Sequence, residues 1–194
     1  MWGLVEDNAI TKIINQPKGM VIGDTRHSRK IFSLWSEAEL NNVGLYSVVF
    51  DNSNKKDEAY YNNTNQSFDF ADGVVTASYG SATPNSLADV TDEDDNVTDG
   101  LKTKHKRIIK RQASGLLEPT DWYVIKATDV ESYSVPSAIT TFRANVRTKS
   151  NDMEVLIDAC STVDALAALY EYVNTGTEEE PVMERPLGEF PEAV

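Results

Sequence analysis

The chain has 194 residues, of which 40% are hydrophobic, and a formal net charge of −13. This length supports one substantial hydrophobic core or two small ones. No apolar run approaches the roughly 18 residues of a membrane helix, and MWGLVEDNAI at the start lacks the features of a signal peptide. The single cysteine, Cys160, excludes an intrachain disulfide, and its apolar surroundings predict a buried thiol.

The charge is unevenly distributed. Residues 1–100 carry 7 basic and 16 acidic side chains, residues 101–149 carry 10 and 4, and residues 150–194 carry 1 and 11. A basic middle between acidic ends can dock within the molecule or against neighbouring copies, because opposite potentials attract. Nucleic acid is the alternative partner of the basic segment, but phosphates would be repelled by the rest of this acidic chain.

Residues 1–86 are predicted to form a small β-rich domain. Asp7-Asn8 and Asp72-Gly73 both suit tight turns, and apolar residues flank each pair, which predicts a hairpin at both places. The run LYSVVF predicts a further strand.

One short helix is predicted within this β-rich domain. Ser36 and Glu39 have the spacing of a capping box, in which each residue bonds the backbone of the other. Gly44 suits the position just after the end of the helix. Trp35 directly precedes the cap, and its side chain is a candidate contact for the helix or for a partner.

Residues 87–100 are predicted to be an acidic linker. The run TDEDDNVTDG places oxygen-bearing side chains at alternate positions, as a calcium loop does. Val97 stands where that loop needs glycine, however, and Thr103 where it needs glutamate. A solvated linker that ends at the start of a helix is therefore favoured over a calcium site.

Residues 101–175 are predicted to form a helical domain. A basic helix with a narrow apolar stripe is expected over LKTKHKRIIKRQASGLL, ending at Glu118 because Pro119 follows it. Three more helices are predicted over SAITTFRANVRTK, NDMEVLIDAC and STVDALAALYEYVN, the last of them capped by Ser161.

Residues 176–194 are predicted to be an extended acidic tail. Three prolines interrupt this segment, which has too few apolar residues for a core of its own, so its order would depend on a partner. The predicted fold class is therefore α+β. It comprises a small β-rich N-terminal domain with one short helix, a helical C-terminal unit and an extended acidic tail.

The candidate catalytic groups are few. His27 lies beside Asp24, Arg26 and Ser28, but neighbours in one short loop rarely converge as a triad does, and no nucleophile elbow occurs in the sequence. His105 lies among lysines, where a solvated or helix-seam position is expected. Two histidines and one cysteine cannot build a common zinc site. No catalytic residue, metal or cofactor is predicted, and an enzyme is disfavoured.

The basic run KTKHKRIIKR is predicted to bind an acidic protein surface, either of this chain or of a neighbour. Nucleic acid and membrane surfaces are disfavoured, because the run has no interleaved aromatic residue to stack bases and no bulky apolar anchor. The candidate partner-binding residues are Lys102, Lys104, Lys106, Arg107 and Lys110, together with Trp35 and Phe190.

The stretch EPTDWYVIKA is predicted to end the basic helix and to insert an aromatic anchor. Thr120 and Asp121 would fix a turn by bonding nearby amides. Trp122 would then be buried in a groove between the helices, which is worth a few kcal/mol at roughly 25 cal/mol per Å². Arg143 or Arg111 would pair with Asp121. The candidate structural anchors are Trp122, Asp121, Arg143 and Arg111.

The run KRQASGLLEPTDWYVIKATD, with the later VPSAITTFRANVR, resembles the C-terminal motif of tail-fibre assembly proteins and related virion proteins of tailed bacteriophages. The matching residues are Arg111, Leu116-Leu117, Thr120-Asp121-Trp122, Phe142-Arg143 and Arg147. The run departs from the family in Gly115 and in the arginine directly after Phe142. HSRKIFSLWSEAELNNVGLY is similar to a segment of structural proteins from marine tailed phages.

The resemblance implies a virion structural protein of the tail, baseplate or fibre-attachment apparatus, without catalytic residues. Such a protein would be made in the host cytoplasm, would bind other tail or fibre proteins, and would join a symmetric oligomeric assembly in the tail of the particle. A non-virion chaperone of tail-fibre assembly is the alternative that the same resemblance allows.

Overall fold

The computed structural model of the chain describes residues 1–194. Strands make up 24% and helices 35% of these residues, so the predicted α+β class is confirmed. The chain divides into two compact units, Met1–Thr83 and Pro84–Val194. None of its helices combines the length and the apolar character needed to span a membrane.

The N-terminal unit contains a curled five-stranded sheet. Its elements in chain order are β1 Trp2–Glu6, β2 Ala9–Ile14, β3 Met20–Ile22, β4 Thr25–His27, α1 Ile31–Leu34, α2 Glu37–Asn42, β5 Leu45–Asp51, β6 Tyr61–Asn62, β7 Ser67–Ala71 and β8 Val74–Ser78. The strand order is β2-β1-β5-β8-β7. Neighbours are antiparallel except for β5 and β8, which run parallel. The edge strands β2 and β7 contact each other because the sheet curls.

Both predicted hairpin turns are confirmed. Asp7 and Asn8 have φ angles of 50° and 61°, and Asp72 and Gly73 have 52° and 77°. Two consecutive residues at positive φ are what a two-residue hairpin loop requires, and Asp, Asn and Gly tolerate that conformation best.

One face of the sheet is covered by the short helices and the β3–β4 hairpin. Leu4 and Leu45 from the sheet pack there against Met20, Ile31 and Leu40. The capping box predicted for the second helix is also present, since the Ser36 hydroxyl accepts the Glu39 amide N–H at 3.3 Å and the Glu39 carboxylate accepts the Ser36 amide N–H at 2.7 Å.

Gly44 follows this helix at a φ of 81°. Its carbonyl accepts the Val5 amide N–H at 2.8 Å, and a Cβ at this position would lie 2.5 Å from the Val5 carbonyl oxygen. Only glycine therefore fits both the backbone conformation and the close approach of β1. The predicted position of Gly44 just after the helix end is confirmed.

The C-terminal unit is mainly helical. After β9 Thr83–Pro84 come β10 Val90–Thr91, β11 Val97–Thr98, α3 Leu101–Leu117, a 3₁₀ turn Glu118–Thr120, α4 Asp121–Asp129, α5 Ser137–Ala159, α6 Val163–Ala168, β12 Val173–Asn174 and β13 Met183–Glu184. Its core is the contact between α3 and α5. Each helix contributes buried residues at three- to four-residue spacing, among them Ile109, Ala113, Phe142, Val146 and Met153.

The basic helix begins and ends as predicted, but the helices after it differ from the prediction. The chain stays helical past Pro119, through the 3₁₀ turn into α4, because proline fits the first turn of a helix. The two helices predicted between residues 137 and 160 are one helix, α5. The last helix is shorter than expected, and its cap is Thr162, whose hydroxyl accepts the Ala165 amide N–H at 3.1 Å.

The predicted linker contains a hairpin, β10–β11, with its turn around Asp92. The Asp92 carboxylate accepts the amide N–H groups of Asp94 at 2.9 Å and Asn96 at 2.8 Å. These bonds hold the pKa of Asp92 below its ordinary value. The alternating oxygen-bearing side chains that mimic a calcium loop thus bond the turn itself.

The prediction of an extended tail over residues 176–194 is wrong. Leu187 is fully buried, and its amide N–H donates to the Leu169 carbonyl at 3.0 Å. Phe190 packs against Ala113, Phe142 and Val146. Apolar residues spaced between the prolines, rather than a continuous run, attach this segment to the helices, and this is why composition alone indicated disorder.

Candidate functional site: an exposed helix held by a buried arginine

A buried arginine holds the turn that leads into α4. The Arg143 side chain is only 11% exposed, and its Nη1 contacts the Asp121 carboxylate at 2.8 Å. The same nitrogen donates to the Leu117 carbonyl at 3.1 Å and to the Thr120 hydroxyl at 2.5 Å. Thr120 is itself 4% exposed. The predicted Asp121–Arg143 pair is confirmed, and its role is to fix the 3₁₀ turn and the first residue of α4.

Trp122 does not lie in the groove between the helices. Its side chain is 50% exposed, so the prediction of a buried anchor is wrong. The partly buried face of α4 consists of Tyr123 and Ala127, which are four residues apart and share one side of the helix, and Trp122 lies outside that face. Its ring contacts Tyr123, with 3.8 Å between the ring centroids, and Lys126 lies 5.8 Å from the indole.

The whole of α4 is unusually exposed for an ordered helix. It contributes no buried residue to the unit. Val124 is 42% exposed and Ile125 is 60% exposed, in addition to the tryptophan. Sequence reasoning missed both residues because it placed a turn here; the i, i+3 spacing of Trp122 and Ile125 is the signal that would have indicated one helical face. Aromatic residues exposed beside aliphatic ones are typical of protein-binding surfaces.

The basic face of α3 is largely paired within the molecule. Lys106 forms an ion pair with Asp158 at 2.8 Å, Lys110 pairs with Glu154 at 3.2 Å, and Lys102 donates to the Asp158 carbonyl at 2.8 Å. Intramolecular docking, one of the two predicted uses of this charge, is therefore present between α3 and α5.

The three other basic side chains of this helix differ in their surroundings. Arg107 pairs with Asp99 at 2.7 Å. Lys104 is exposed, as is Arg111, so Arg111 is not the structural anchor that was predicted. The carboxylate of Asp121 pairs with Arg143, because that guanidinium reaches it from α5 across the groove.

The first turn of α3 is capped by the chain segment before it. The Asp89 carboxylate accepts the Gly100 amide N–H at 2.7 Å, and the Ser86 and Leu87 carbonyls accept the amides of Leu101 and Lys102 at 2.8 and 3.0 Å. A Cβ on Gly100 would lie 2.3 Å from Ala88, so glycine permits this close approach. Free amides at a helix start need such acceptors.

Two side chains predicted to bind partners pack within the chain. Trp35 joins the core of the N-terminal unit, where its ring meets His27 edge-on with 5.3 Å between centroids. Phe190 packs on α3 and α5. Both are partly exposed, so a partner would meet only their outer edges.

The titratable side chains considered for catalysis lie in separate places. Asp24 lies at the β3–β4 turn, and no side-chain hydrogen bond joins it to His27. His105 packs on Tyr170, with 4.8 Å between centroids, and partial burial lowers its pKa. Cys160 is buried as predicted, and burial raises the pKa of its thiol. No group of three or more metal-ligating residues occurs.

Comparison of the chain with models of protein families, with characterised proteins and with solved structures gives no match.

Proposed function

We propose that this chain is a structural protein of the tailed-bacteriophage virion, located in the tail, the baseplate or the fibre-attachment apparatus. It acts by multivalent docking to other tail or fibre proteins within a symmetric assembly. One observation carries the proposal: the residues of the phage-like motif, Thr120, Asp121 and Arg143, join in one network that holds α4, a helix with no buried residue.

That network supports a docking role because it stabilises the helical conformation of the exposed α4. A nine-residue helix without a fully buried side chain is marginal in water. The pair with Arg143 fixes its start, so Trp122 and Ile125 are presented in a fixed geometry before a partner arrives. Fixing a contact surface in advance reduces the entropy lost on binding.

Quantitative mass spectrometry of purified phage particles tests the proposal. We expect the chain at a fixed copy number per particle, because a structural subunit persists after assembly. A chaperone of tail-fibre assembly would use the same exposed helix but leave the finished particle. Presence in assembly intermediates and absence from particles would establish the chaperone, and absence from both would refute both roles.

The Trp122→Ala variant tests whether α4 is the docking helix. We expect its stability to urea to change by less than about 0.5 kcal/mol, because the indole is half exposed. Incorporation should fall about tenfold or more, since aromatic side chains at the centre of an interface contribute most of the binding energy.

Val155→Ala is the matched control, because Val155 is 67% exposed on α5, a different helix. It should leave both stability and incorporation unchanged. A large loss of stability in Trp122→Ala, or normal incorporation of that variant, would contradict the docking role of α4.

A further inference from the structure

The N-terminal unit contains a local basic region. Residues 8–36 carry five Lys/Arg side chains and one acid, although the whole chain has a net charge of −13. A cavity of about 510 Å³ lies in this region, which is within the size range of ligand-binding pockets. Its lining residues are Gln16, Pro17, Arg29, Lys30, Phe32 and Ser33. We name it the basic cavity.

The two cations of the basic cavity are available to a ligand. Arg29 and Lys30 are exposed, and neither forms an ion pair within the chain. The backbone between them is fixed, because the Ser28 hydroxyl accepts the Lys30 amide N–H at 3.3 Å and the Ser33 hydroxyl donates to the Lys30 carbonyl at 3.1 Å. Phe32 forms an apolar wall, held by Trp2 at 4.7 Å between ring centroids. Two cations beside an apolar wall suit an acidic peptide.

The chain itself carries such a peptide, in the hairpin of β12 and β13. We name residues 171–184 the hairpin arm; every one of them is exposed. The Asn174 side chain holds its loop by accepting the amide N–H groups of Gly176 at 3.0 Å and Val182 at 2.9 Å. An ordered two-stranded hairpin that buries no side chain is marginal by itself, so a further contact would stabilise it.

The side chains of the hairpin arm match the basic cavity in chemistry. Glu178, Glu179 and Glu180 are consecutive at its tip, and none forms an ion pair within the chain. Its apolar side chains are about half exposed: Tyr172 54%, Val173 48%, Val182 48% and Met183 55%.

We propose that the hairpin arm of one copy docks into the basic cavity of a second copy, with the tip carboxylates against Arg29 and Lys30. The inference rests on the proposed function in one respect, that the chain works in a multi-copy assembly. The two surfaces differ, so each copy offers a cavity to one neighbour and an arm to another. Repetition of such a head-to-tail contact builds a ring where the rotation closes and a helical array where it does not.

Charge favours a second copy over nucleic acid as the occupant. The segment that contains the arm, residues 150–194, carries 11 acids and one Arg, the opposite of the cavity region. The arm also presents apolar side chains, such as Val182 and Met183, that can pack on Phe32, whereas a polyphosphate has no apolar group for that wall.

Sedimentation of the purified full-length protein over a range of concentrations tests the contact. We expect self-association at low salt that weakens as salt rises, because exposed charges are screened. Arg29→Glu with Lys30→Glu should weaken association about tenfold or more, since like charges then face each other. Glu178→Lys with Glu179→Lys should do the same. The mixture of these two double variants should associate as wild type does, since the reversed cavity of one accepts the reversed arm of the other.

Lys12→Glu with Lys18→Glu is the matched control, because it makes the same change in net charge outside the cavity lining. This control should associate nearly as wild type does. Circular dichroism should show that all variants stay folded, because every altered side chain is exposed.

Four outcomes would overturn the proposal: a wild-type protein that is monomeric at every concentration and salt level, association unaffected by the cavity variant, a control as defective as that variant, or no rescue in the mixture. Binding of an oligonucleotide that requires Arg29 and Lys30 would instead assign the cavity to phosphates. The proposed function is tested separately by particle mass spectrometry, so a virion protein without this contact and a self-associating protein absent from virions are distinguishable.

Discussion

Arg143 should contribute more to stability than the carboxylate with which it pairs. It is almost buried, whereas the Asp121 side chain is 53% exposed. Arg143→Ala should lower the free energy of unfolding by about 2 kcal/mol, because the Leu117 carbonyl and the buried Thr120 hydroxyl each lose a charged donor, and the carbonyl keeps only the Thr120 hydroxyl as a side-chain donor. Asp121→Asn should cost less than about 1 kcal/mol, because the carboxylate is half exposed and the guanidinium keeps the Leu117 and Thr120 acceptors. Urea denaturation followed by circular dichroism measures both.

The ratio of these two effects distinguishes a buried hydrogen-bond donor from a surface ion pair. Equal losses in the two variants would mean that the carboxylate, rather than the turn, is what the guanidinium stabilises. Arg143→Lys is a useful companion, because it keeps the charge but cannot reach three acceptors in the same geometry.

Asp89 should make the stability of the C-terminal unit depend on pH. The Gly100 amide N–H and the Thr103 hydroxyl hold the pKa of this carboxyl below its ordinary value of 3.8. A carboxyl whose pKa is lower in the folded state stabilises the fold above the unfolded-state pKa, and this contribution is lost as the pH falls through the folded-state pKa.

Asp89→Asn removes the charge but keeps the shape of the side chain. The urea midpoints of the variant and wild type should therefore differ by a constant amount at neutral pH and converge as the pH falls below about 3.8. If the urea midpoints of wild type and variant differ by the same amount at all pH values, the charge of Asp89 does not contribute to the cap.

Single residues show where local sequence signals are sufficient. The Ser36–Glu39 capping box, the Asp72-Gly73 turn and the Asp121–Arg143 pair were predicted and are present. The exposure of Trp122 was not predictable from its own residue type. Whether an aromatic residue faces inward depends on the helical phase, which is set here by the uninterrupted passage from the 3₁₀ turn into α4.

At the scale of elements, the predictions were right where a helix or strand carries its own signals. The apolar stripe predicted α3, and Pro119 predicted its end. The two helices predicted over residues 137–160 form one helix, α5, whose buried residues continue from Ile139 to Ile157 across the predicted break. The prediction of an extended tail was wrong for a related reason. Leu187 is buried by residues distant in the sequence, and no local pattern reports such a contact.

Leu187 should therefore attach the C-terminal segment strongly. Leu187→Ala should lower the free energy of unfolding by about 3 kcal/mol, because it removes a fully buried side chain and leaves a cavity. Val182→Ala, in the exposed hairpin, is the control and should change stability by less than about 0.5 kcal/mol. Hydrogen exchange would show which backbone amides lose protection. If the two variants were equally stable, the C-terminal segment would not be attached through Leu187.

At the scale of the whole molecule, some charged side chains form ion pairs within the C-terminal unit, and others are exposed without an ion pair. The acids of α5 neutralise much of the basic face of α3, so the predicted basic docking surface is reduced to side chains such as Lys104. The charges that stay without ion pairs include Arg29 and Lys30 in one unit and the carboxylates at residues 178–180 in the other. Assembly should therefore depend on salt through these groups rather than through α3.

Each unit should fold with its own core. The buried residues of α3, α5 and α6, together with Leu187, all belong to Pro84–Val194. A fragment of residues 84–194 should unfold cooperatively in urea, with the midpoint that the helical signal has in the full chain, because these buried residues and the elements that carry them are inside the fragment. The Leu187→Ala change should destabilise the fragment and the full chain equally. A fragment with fluctuating packing, or one whose midpoint is much lower, would show that the helical core needs residues 1–83.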